Sequence, residues 1–290
     1  TTGTRKKVDT TGYFISDAIK ATDKLDLNVT GRSDASYEGD AEFSWALGSN
    51  YAINDNTSAG LSLSQVIRNP NMQELYRSGG RGNPDLETED IDNLELRFNH
   101  KFNEKWQVSL AWFDSDIENY IEADASGTFQ NIKEAEISGI EFSVNGKIND
   151  KFTAWVGYTD FNKAENKTDN CRLVSKPEFR AVAGTTYSDN KFSAMLTMSH
   201  QGETKAIGNT YPKVDSSTLL DLSIRQQATK DVAFYLNIEN LTDQNDVQLS
   251  QETGKAGFVK KDGSLNLNQS RPISYEPGRL VTLGMELKFR

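Results

Sequence analysis

Histidine and cysteine are nearly missing from this sequence of 290 residues, with two of the first and one of the second. His100 and His200 stand far apart and have no second ligand at the short spacing a metal centre uses, so both read as ordinary strand residues. Cys171 has no partner with which to close a disulfide in this segment and says little about redox compartment. There is no G-x-S-x-G, P-loop or dinucleotide fingerprint, and nothing reads as an enzyme. Long apolar runs are missing too. No stretch approaches the roughly 18 consecutive apolar residues of a membrane helix, which excludes a helical membrane protein. Basic charge is in deficit: 32 basic residues against 42 acidic leave a formal charge of -10 and no basic stripe, which argues against a nucleic-acid partner. The first residues, TTGTRKKVDTTGYF, lack the apolar core of a signal peptide, so either processing removed one or the chain begins in mid-protein.

What is present is alternation. Phe43, Trp45 and Leu47 share one face of a strand, with Ser44, Ala46 and Gly48 on the other. Leu94, Leu96 and Phe98 repeat the pattern, as do Trp106, Val108, Leu110 and Trp112, and Phe192, Ala194, Leu196 and Met198. It continues through Val232, Phe234, Leu236 and Ile238, and then Val281, Leu283, Met285, Leu287 and Phe289. Period two over so many segments means β-strands with one apolar face each. Hydrophobic residues make up only 36% and mean hydropathy is -0.63. Such figures also describe a soluble β-protein. They do not exclude a transmembrane barrel, whose strands alternate lipid-facing and lumen-facing residues.

The connections decide between them. Short ones, Asn54-Asp-Asn56, Asn103-Glu-Lys105, Asn149-Asp-Lys151, Ser188-Asp-Asn-Lys191 and Thr229-Lys-Asp231, carry the residues that tight hairpins require. Between them lie longer polar excursions at about 69–90, 117–131, 161–178, 200–216 and 242–277. Short turns at one rim and long loops at the other are the layout of a bacterial outer-membrane barrel, periplasm below and exterior above. The expected fold is therefore all-β, a transmembrane antiparallel barrel. About thirteen strands are expected: 11–21, 25–37, 40–53, 57–68, 91–102, 106–117, 132–147, 152–160, 178–188, 192–200, 217–227, 232–241 and 279–289. Bacterial barrels of one chain have even strand numbers, so an odd count places further strands ahead of Thr1. One outside connection, 36–40, is only a tight turn, from natural shortness or from a numbering that closes over further residues.

The segment from Val66 to Tyr76, VIRNPNMQELY, is followed by Gly82-Asn-Pro-Asp-Leu-Glu87 and Asn93-Leu-Glu95. Asn131 to Gly139 with Glu141, then Leu236-Asn-Ile-Glu-Asn-Leu-Thr-Asp243, then Tyr275-Glu-Pro-Gly-Arg279, come after them in order. Pro70 and Pro84 lack an amide donor and suit a sheet that is ending. Asn93, Asn237 and Asn240 are expected to satisfy backbone groups where strands leave the ladder. This ordered set, from about residue 66 to the end, resembles the TonB-dependent outer-membrane receptors of siderophore and haem type. The resemblance implies a 22-stranded barrel with an N-terminal plug. Residues 1–290 would then be the C-terminal portion of the barrel, strands ten to twenty-two, with plug and TonB-contacting segment upstream. It departs from the family at the end, where Phe289 is followed by Arg290 instead of closing the chain.

The same resemblance implies energised uptake of an iron chelate, a ferric siderophore first, with haem, cobalamin or another scarce nutrient as alternatives. Haem receptors place a histidine on the loop between the two motifs; Asn71 to Asn83 has none, although Tyr76 offers a substitute ligand. Expected partners are the small-molecule substrate, TonB through the upstream plug segment, and lipopolysaccharide with outer-membrane lipid. Phage or bacteriocin at the exposed loops completes the set. Basic and aromatic residues near the outer mouth are the candidate ligand contacts: Arg68, Tyr76, Arg77, Arg81, Arg172, Tyr211 and Arg271. Arginine forks suit carboxylate or catecholate oxygens and rings suit planar ligands; the alternative is that the arginines meet lipid phosphates or acidic neighbours. Asp114, Asp116, Glu118, Glu122 and Asp124 form an acidic cluster, read either as a solvated surface against lipopolysaccharide or as a calcium site. No other cofactor is expected. A passive porin and a soluble all-β binding protein are the competing classes.

Overall fold

The tight turns share one chemical device. Asn103 Oδ1 accepts from the amides of Lys105 and Trp106 at 2.8 and 3.0 Å, Asn149 Oδ1 from Lys151 and Phe152 at 2.9 and 3.0 Å, and Asp189 Oδ1 from Lys191 and Phe192 at 2.9 Å each. Asn54 Oδ1, Thr22 Oγ1 and Thr229 Oγ1 each accept the amide two residues on. A short acceptor side chain thus replaces the backbone partner that the reversal removes. Asp189 also accepts from the Tyr187 hydroxyl, and the two backbone amides hold its carboxyl below the ordinary carboxylate range.

These turns join a single antiparallel sheet. The computed structural model describes residues 10–35, 41–123, 127–168, 170–173, 176–204, 215–244, 248–250, 274–275 and 278–289. The strands are β1 (Gly12–Lys20), β2 (Leu25–Ala35), β3 (Ala41–Asn54), β4 (Thr57–Arg68), β5 (Glu89–Lys101), β6 (Trp106–Ala123), β7 (Phe129–Lys147) and β8 (Phe152–Asn166). Beyond the short β9 (Cys171–Arg172) come β10 (Phe179–Ser188), β11 (Phe192–Gln201), β12 (Ser217–Thr229) and β13 (Val232–Glu239), then β14 (Gln248–Ser250), β15 (Ser274–Tyr275) and β16 (Leu280–Leu287). One helix, α1 (Met72–Tyr76), follows β4. Each long strand pairs with the next in sequence, in the order β1-β2-β3-β4-β5-β6-β7-β8-β10-β11-β12-β13-β16. β9 hangs from β8, and β14 pairs with β15 apart from the sheet. That is the expected meander of thirteen strands. Among the described residues the sheet does not close, and β1 and β16 are its edges. The tight turn expected at 36–40 lies outside the described residues.

The sheet has no conventional core across most of its area. Leu96 pairs with Trp112 and Trp112 with Ile140; Phe98 pairs with Leu110 and Leu110 with Phe142. All of these side chains are exposed. The opposite face carries polar ladders: Asn93 accepts from Ser115 Oγ at 2.6 Å and donates to Ser64 Oγ at 3.3 Å, and Asn237 accepts from Ser223 Oγ at 2.7 Å. Asn93 and Asn237, expected to cap strand ends, instead bond across the sheet, and of the three only Asn240 meets backbone groups at a strand end. A continuous apolar face opposite a polar one is the chemistry of a barrel wall, lipid outside and lumen inside.

Three strands run further than their alternation indicates. β6 continues to Ala123, β7 starts at Phe129 and β8 ends at Asn166. In these extensions the apolar residues change sides. Ile117, Ala135, Ala164 and Leu173 form a buried cluster, joined by Ile91, Tyr120 and Ile137. By register they continue the lumen face, since Ile117 pairs with Ala135 and with Ile91, and Ile137 with Ala164. A reading that follows the lipid face stops each strand where that face turns polar.

Candidate functional site

At the long-loop rim, the segment from Asn69 to Thr88 is folded back onto the β6–β7 hairpin. Its anchor is Arg68, the last residue of β4. The guanidinium grips Glu89 with Nε and Nη2, Nε to Oε2 at 2.6 Å, and reaches Glu74 with Nη1 at 3.1 and 3.2 Å. Glu89 is 2% exposed and also accepts the Ile121 amide at 2.7 Å. Glu74 closes a capping box on α1: Asn71 Oδ1 accepts from the amides of Gln73 and Glu74, and Glu74 accepts the Asn71 amide at 2.8 Å. A helix of five residues has little stability of its own, so the reciprocal cap and the ion pair hold it.

Hydrophobic and polar contacts complete the attachment. Leu75 and Leu86 bury against Ile121, with Tyr76 and Phe129 packed around them. The Phe129 amide donates to the Arg81 carbonyl, Asn83 Nδ2 to the Phe129 carbonyl, and Thr128 Oγ1 to the Gly80 carbonyl, at 3.1, 3.0 and 3.0 Å. Asn131 accepts the Glu87 amide and donates to the carbonyls of Glu87 and Asn119. The Arg-x-Pro and Asn-Pro-x-Leu stretches are thus two halves of one clamp. Gly79 and Gly80, at φ 82° and 72°, turn the chain between them, a conformation in which a side chain would be strained.

The sequence candidates separate on this geometry. Arg68 spends its guanidinium on two carboxylates. Tyr76 packs into the clamp. Arg77 and Arg81 flank the glycine turn, and neither guanidinium has a carboxylate partner among the described residues. Arg172 lies on another connection: its Nη2 donates to the Pro177 carbonyl at 3.1 Å, and its buried Nε has no partner among the described residues. Tyr211 and Arg271 lie outside the described residues.

The sequence reading missed Lys176, Arg180 and Arg97. Burial, then the neighbouring Arg180, pushes the Lys176 ammonium below the ordinary lysine range. Arg97, Glu141 and Arg180 line one lumen-face groove with Ser109, Ser143 and Thr159. Polar residues within strands were legible as lumen-facing, but their convergence depends on pairing register. In the acidic cluster, Asp114, Asp116 and Glu118 are alternate residues of β6 and pair with Leu94, Asp92 and Asp90. Among the described residues no three His, Cys, Asp or Glu side chains converge as a metal site; Asp124 lies outside them. His100 and His200 are strand residues, each bonded through Nδ1 to a threonine hydroxyl, Thr57 at 2.9 Å and Thr218 at 2.7 Å.

A family model described as TonB dependent receptor-like, beta-barrel matches residues 1–241. The chain belongs to that family. This TonB-dependent receptor barrel is 24% identical over 249 residues to the ferrienterobactin receptor of Escherichia coli K12, covering 75% of this chain and 32% of that receptor. It is also 24% identical to the vitamin B12 transporter BtuB of Vibrio vulnificus, over 81% of this chain and 38% of the transporter. The receptor barrel thus spans only about a third of the length of these curated relatives. Its fold matches the crystal structure of a ferric enterobactin receptor mutant from Pseudomonas aeruginosa with TM-score 0.76 at 17% identity, over 97% of this chain and 45% of that one. The copper transporter OprC matches with TM-score 0.73 at 16% identity, over 97% and 47%. No helix among the described residues is long and apolar enough to cross a membrane. The receptor barrel crosses the bacterial outer membrane with its strands.

Proposed function

We propose that this barrel wall serves TonB-dependent uptake of an iron chelate, a ferric siderophore foremost. The observation that carries the reading is the clamp. It holds the loop from Asn69 to Thr88 at the outer rim and leaves Arg77 and Arg81 without carboxylate partners among the described residues, in a protein of net charge -10. Two arginines on a loop anchored by other residues suit an anionic ligand, because a fork of N–H donors matches paired oxygens and less ordering entropy remains to be lost. Two curated relatives are by name a ferrienterobactin receptor and a vitamin B12 transporter, which supports the same class of cargo and keeps cobalamin as the second reading. Arg172, with Tyr211 and Arg271 from the other loops, belongs to the same mouth on this reading. Tyr76 and Arg68 build its frame. TonB supplies the energy, outer-membrane lipid and lipopolysaccharide surround the wall, and the exposed loops are where phage or bacteriocin would attach. Calcium would serve only to order the acidic strand ends.

Equilibrium binding to the natural full-length protein tests the proposal with ferric enterobactin, haemin and cobalamin as probes. Ferric enterobactin is expected to bind most tightly, and Arg77→Ala and Arg81→Ala are each expected to weaken it roughly tenfold, the worth of a charge-assisted hydrogen bond. Tight binding of haemin or cobalamin alone, unchanged by both substitutions, contradicts the siderophore reading.

A further inference from the structure

We propose that Asp17 forms an ion pair within the membrane with a basic side chain on the strand that pairs with the open edge of β1, and that this pair fixes the register of that seam. Directly paired residues lie on the same face of a sheet. Asp17 pairs with Val29, Val29 with Leu47 and Leu47 with Leu63, so its carboxyl belongs to the apolar, lipid-facing side of the wall. Polar side chains at this level take the other side, where the hydroxyls of Ser16 and Thr30 bond at 2.9 Å.

The surroundings of Asp17 are those of the hydrocarbon interior. Toward the long-loop rim the next row on its face is Ile15, Gly31 and Trp45, and then Tyr13, Ser33 and Phe43. Toward the short turns it is followed by Ile19 and Leu27, and then by Leu25 and Tyr51. Tyr13, Ile15, Ile19, Val29, Phe43 and Leu47 are all exposed. Apolar side chains thus predominate for two rows in each direction, about 14 Å along the strand. An aspartate carboxyl stands one methylene from the backbone and cannot snorkel that far, as lysine and arginine do. Other acids of this face gather toward the long-loop rim. Asp92, Asp114 and Glu136 stand at least eight positions from the short-turn ends of their strands, whereas Asp17 stands three from its own.

The described side of β1 offers no counter-charge. Lys20, the basic residue of β1, takes the opposite face by alternation and lies 3.6 Å from Asp23. The lipid-face residues of β2 are Leu25, Leu27, Val29, Gly31 and Ser33, none of them charged. Asp17 has no hydrogen bond or ion pair among the described residues. Its other side is the open edge of the sheet. In hydrocarbon the free amides and carbonyls of that edge need a neighbouring strand. An ionised side chain amid lipid is costly alone and is met by a partner of opposite sign, so the neighbouring strand is where the counter-charge belongs. A lysine or arginine directly opposite Asp17, or one diagonal step away, brings its nitrogens within reach. A slip of two residues would keep every apolar side chain toward lipid, and the apolar pattern alone does not exclude it. Such a slip would move the two charges apart by about 7 Å, so the pair specifies what the apolar face cannot. This inference rests on the barrel fold and is independent of the cargo.

Unfolding of the natural full-length protein in phosphatidylcholine vesicles tests it, read as the heat-modifiable fraction against guanidinium concentration. Asp17→Leu and Asp17→Asn are each expected to lower the folding equilibrium constant roughly a hundredfold, because both leave a cation unpaired in hydrocarbon. Asp17→Glu, which keeps the charge, is expected to stay within about tenfold of the natural protein. A variant that yields no heat-modifiable barrel counts as the larger loss. An Asp17→Leu barrel as stable as the natural one, or more so, overturns the proposal, since a carboxyl facing lipid without a partner responds in that way. Loss in Asp17→Leu but not in Asp17→Asn overturns it as well, by showing a neutral hydrogen bond in place of an ion pair. Equal loss in all three variants, Asp17→Glu included, shows dependence on shape and not on charge, and overturns it too.

Discussion

Arg68 shows how a residue can be noticed in a sequence for one role and hold another in the fold. Its motif marks it, and its charge suits an anion, but both partners are acids of the same protein. Glu89 is 21 positions away and the Ile121 amide that shares it comes from a later hairpin, so no local pattern exposes the clamp. Arg68→Ala is expected to leave a nearly buried carboxylate unpaired. Breaking such a pair costs about 3–5 kcal/mol; Arg68 keeps a 36% exposed side chain, so water screens part of it and the lower end applies. Limited proteolysis should then cut within the loop from Asn69 to Thr88 while the barrel stays folded. An uncut loop would show that the hydrophobic contacts hold it unaided.

Asp189 belongs to the same scale and was readable, because an Asp two residues ahead of an amide in a tight turn is a local pattern. Its carboxyl is held below the ordinary aspartate value by the backbone amides of Lys191 and Phe192. A depressed folded-state value means that the stabilisation is fully present above the unfolded value near 3.8 and fades as pH falls through the folded one. Hydrogen-exchange protection of the turn should hold at pH 5 and decline only below about pH 4. Asp189→Asn, which keeps an acceptor oxygen without the charge, should remove that pH dependence.

At the scale of elements, β13 ends on a side-chain cap. Asn240, 4% exposed at φ 51°, donates its amide to Asp221, and its side chain brackets Gln244 with bonds of 2.8 and 2.9 Å. Asp243 then accepts the Arg279 amide at 2.8 Å, which ties this turn to the residue ahead of β16. The Asn-Leu-x-Asp and Pro-Gly-Arg motifs are therefore parts of one junction. Asn240→Ala loses the two side-chain bonds to Gln244, keeps the backbone bond to Asp221 and places alanine in a left-handed conformation, a cost of about 2–4 kcal/mol. A lowered unfolding midpoint of the heat-modifiable barrel checks this, and Asn240→Gly is expected to recover the conformational part only.

Element boundaries were legible where chemistry is local and illegible where it is not. Turn residues and alternation alone place β4 at 57–68, and the structure agrees. The lipid-face pattern ends β6 near 117, yet the strand continues to Ala123, because alternation persists there with its apolar side reversed. Gly139 shows the same limit. Its motif suggests a strand, but the reason for glycine is the register shift between Ser138 and Ile140, where a Cβ would meet the Asp160 carbonyl.

For the whole molecule, two properties follow from the same alternation. Period two with one apolar face makes the wall, and the place where that face turns polar sets how much of the wall lies in lipid. Thirteen long strands were countable from turns and alternation, whereas the order of neighbours needed the antiparallel meander to be assumed. The contents of the mouth were least legible, since they depend on loops that meet only after the sheet has formed.

The central claim, energised uptake of an iron chelate, is tested most directly by accumulation of radioactive iron supplied as ferric enterobactin. The cells carry the natural full-length protein as their only receptor for this chelate, with and without functional TonB. The account predicts saturable accumulation that is lost when TonB is removed and reduced by the Arg77→Ala, Arg81→Ala double variant. Accumulation that persists without TonB and rises linearly with concentration would contradict it, because that is the behaviour of a passive pore.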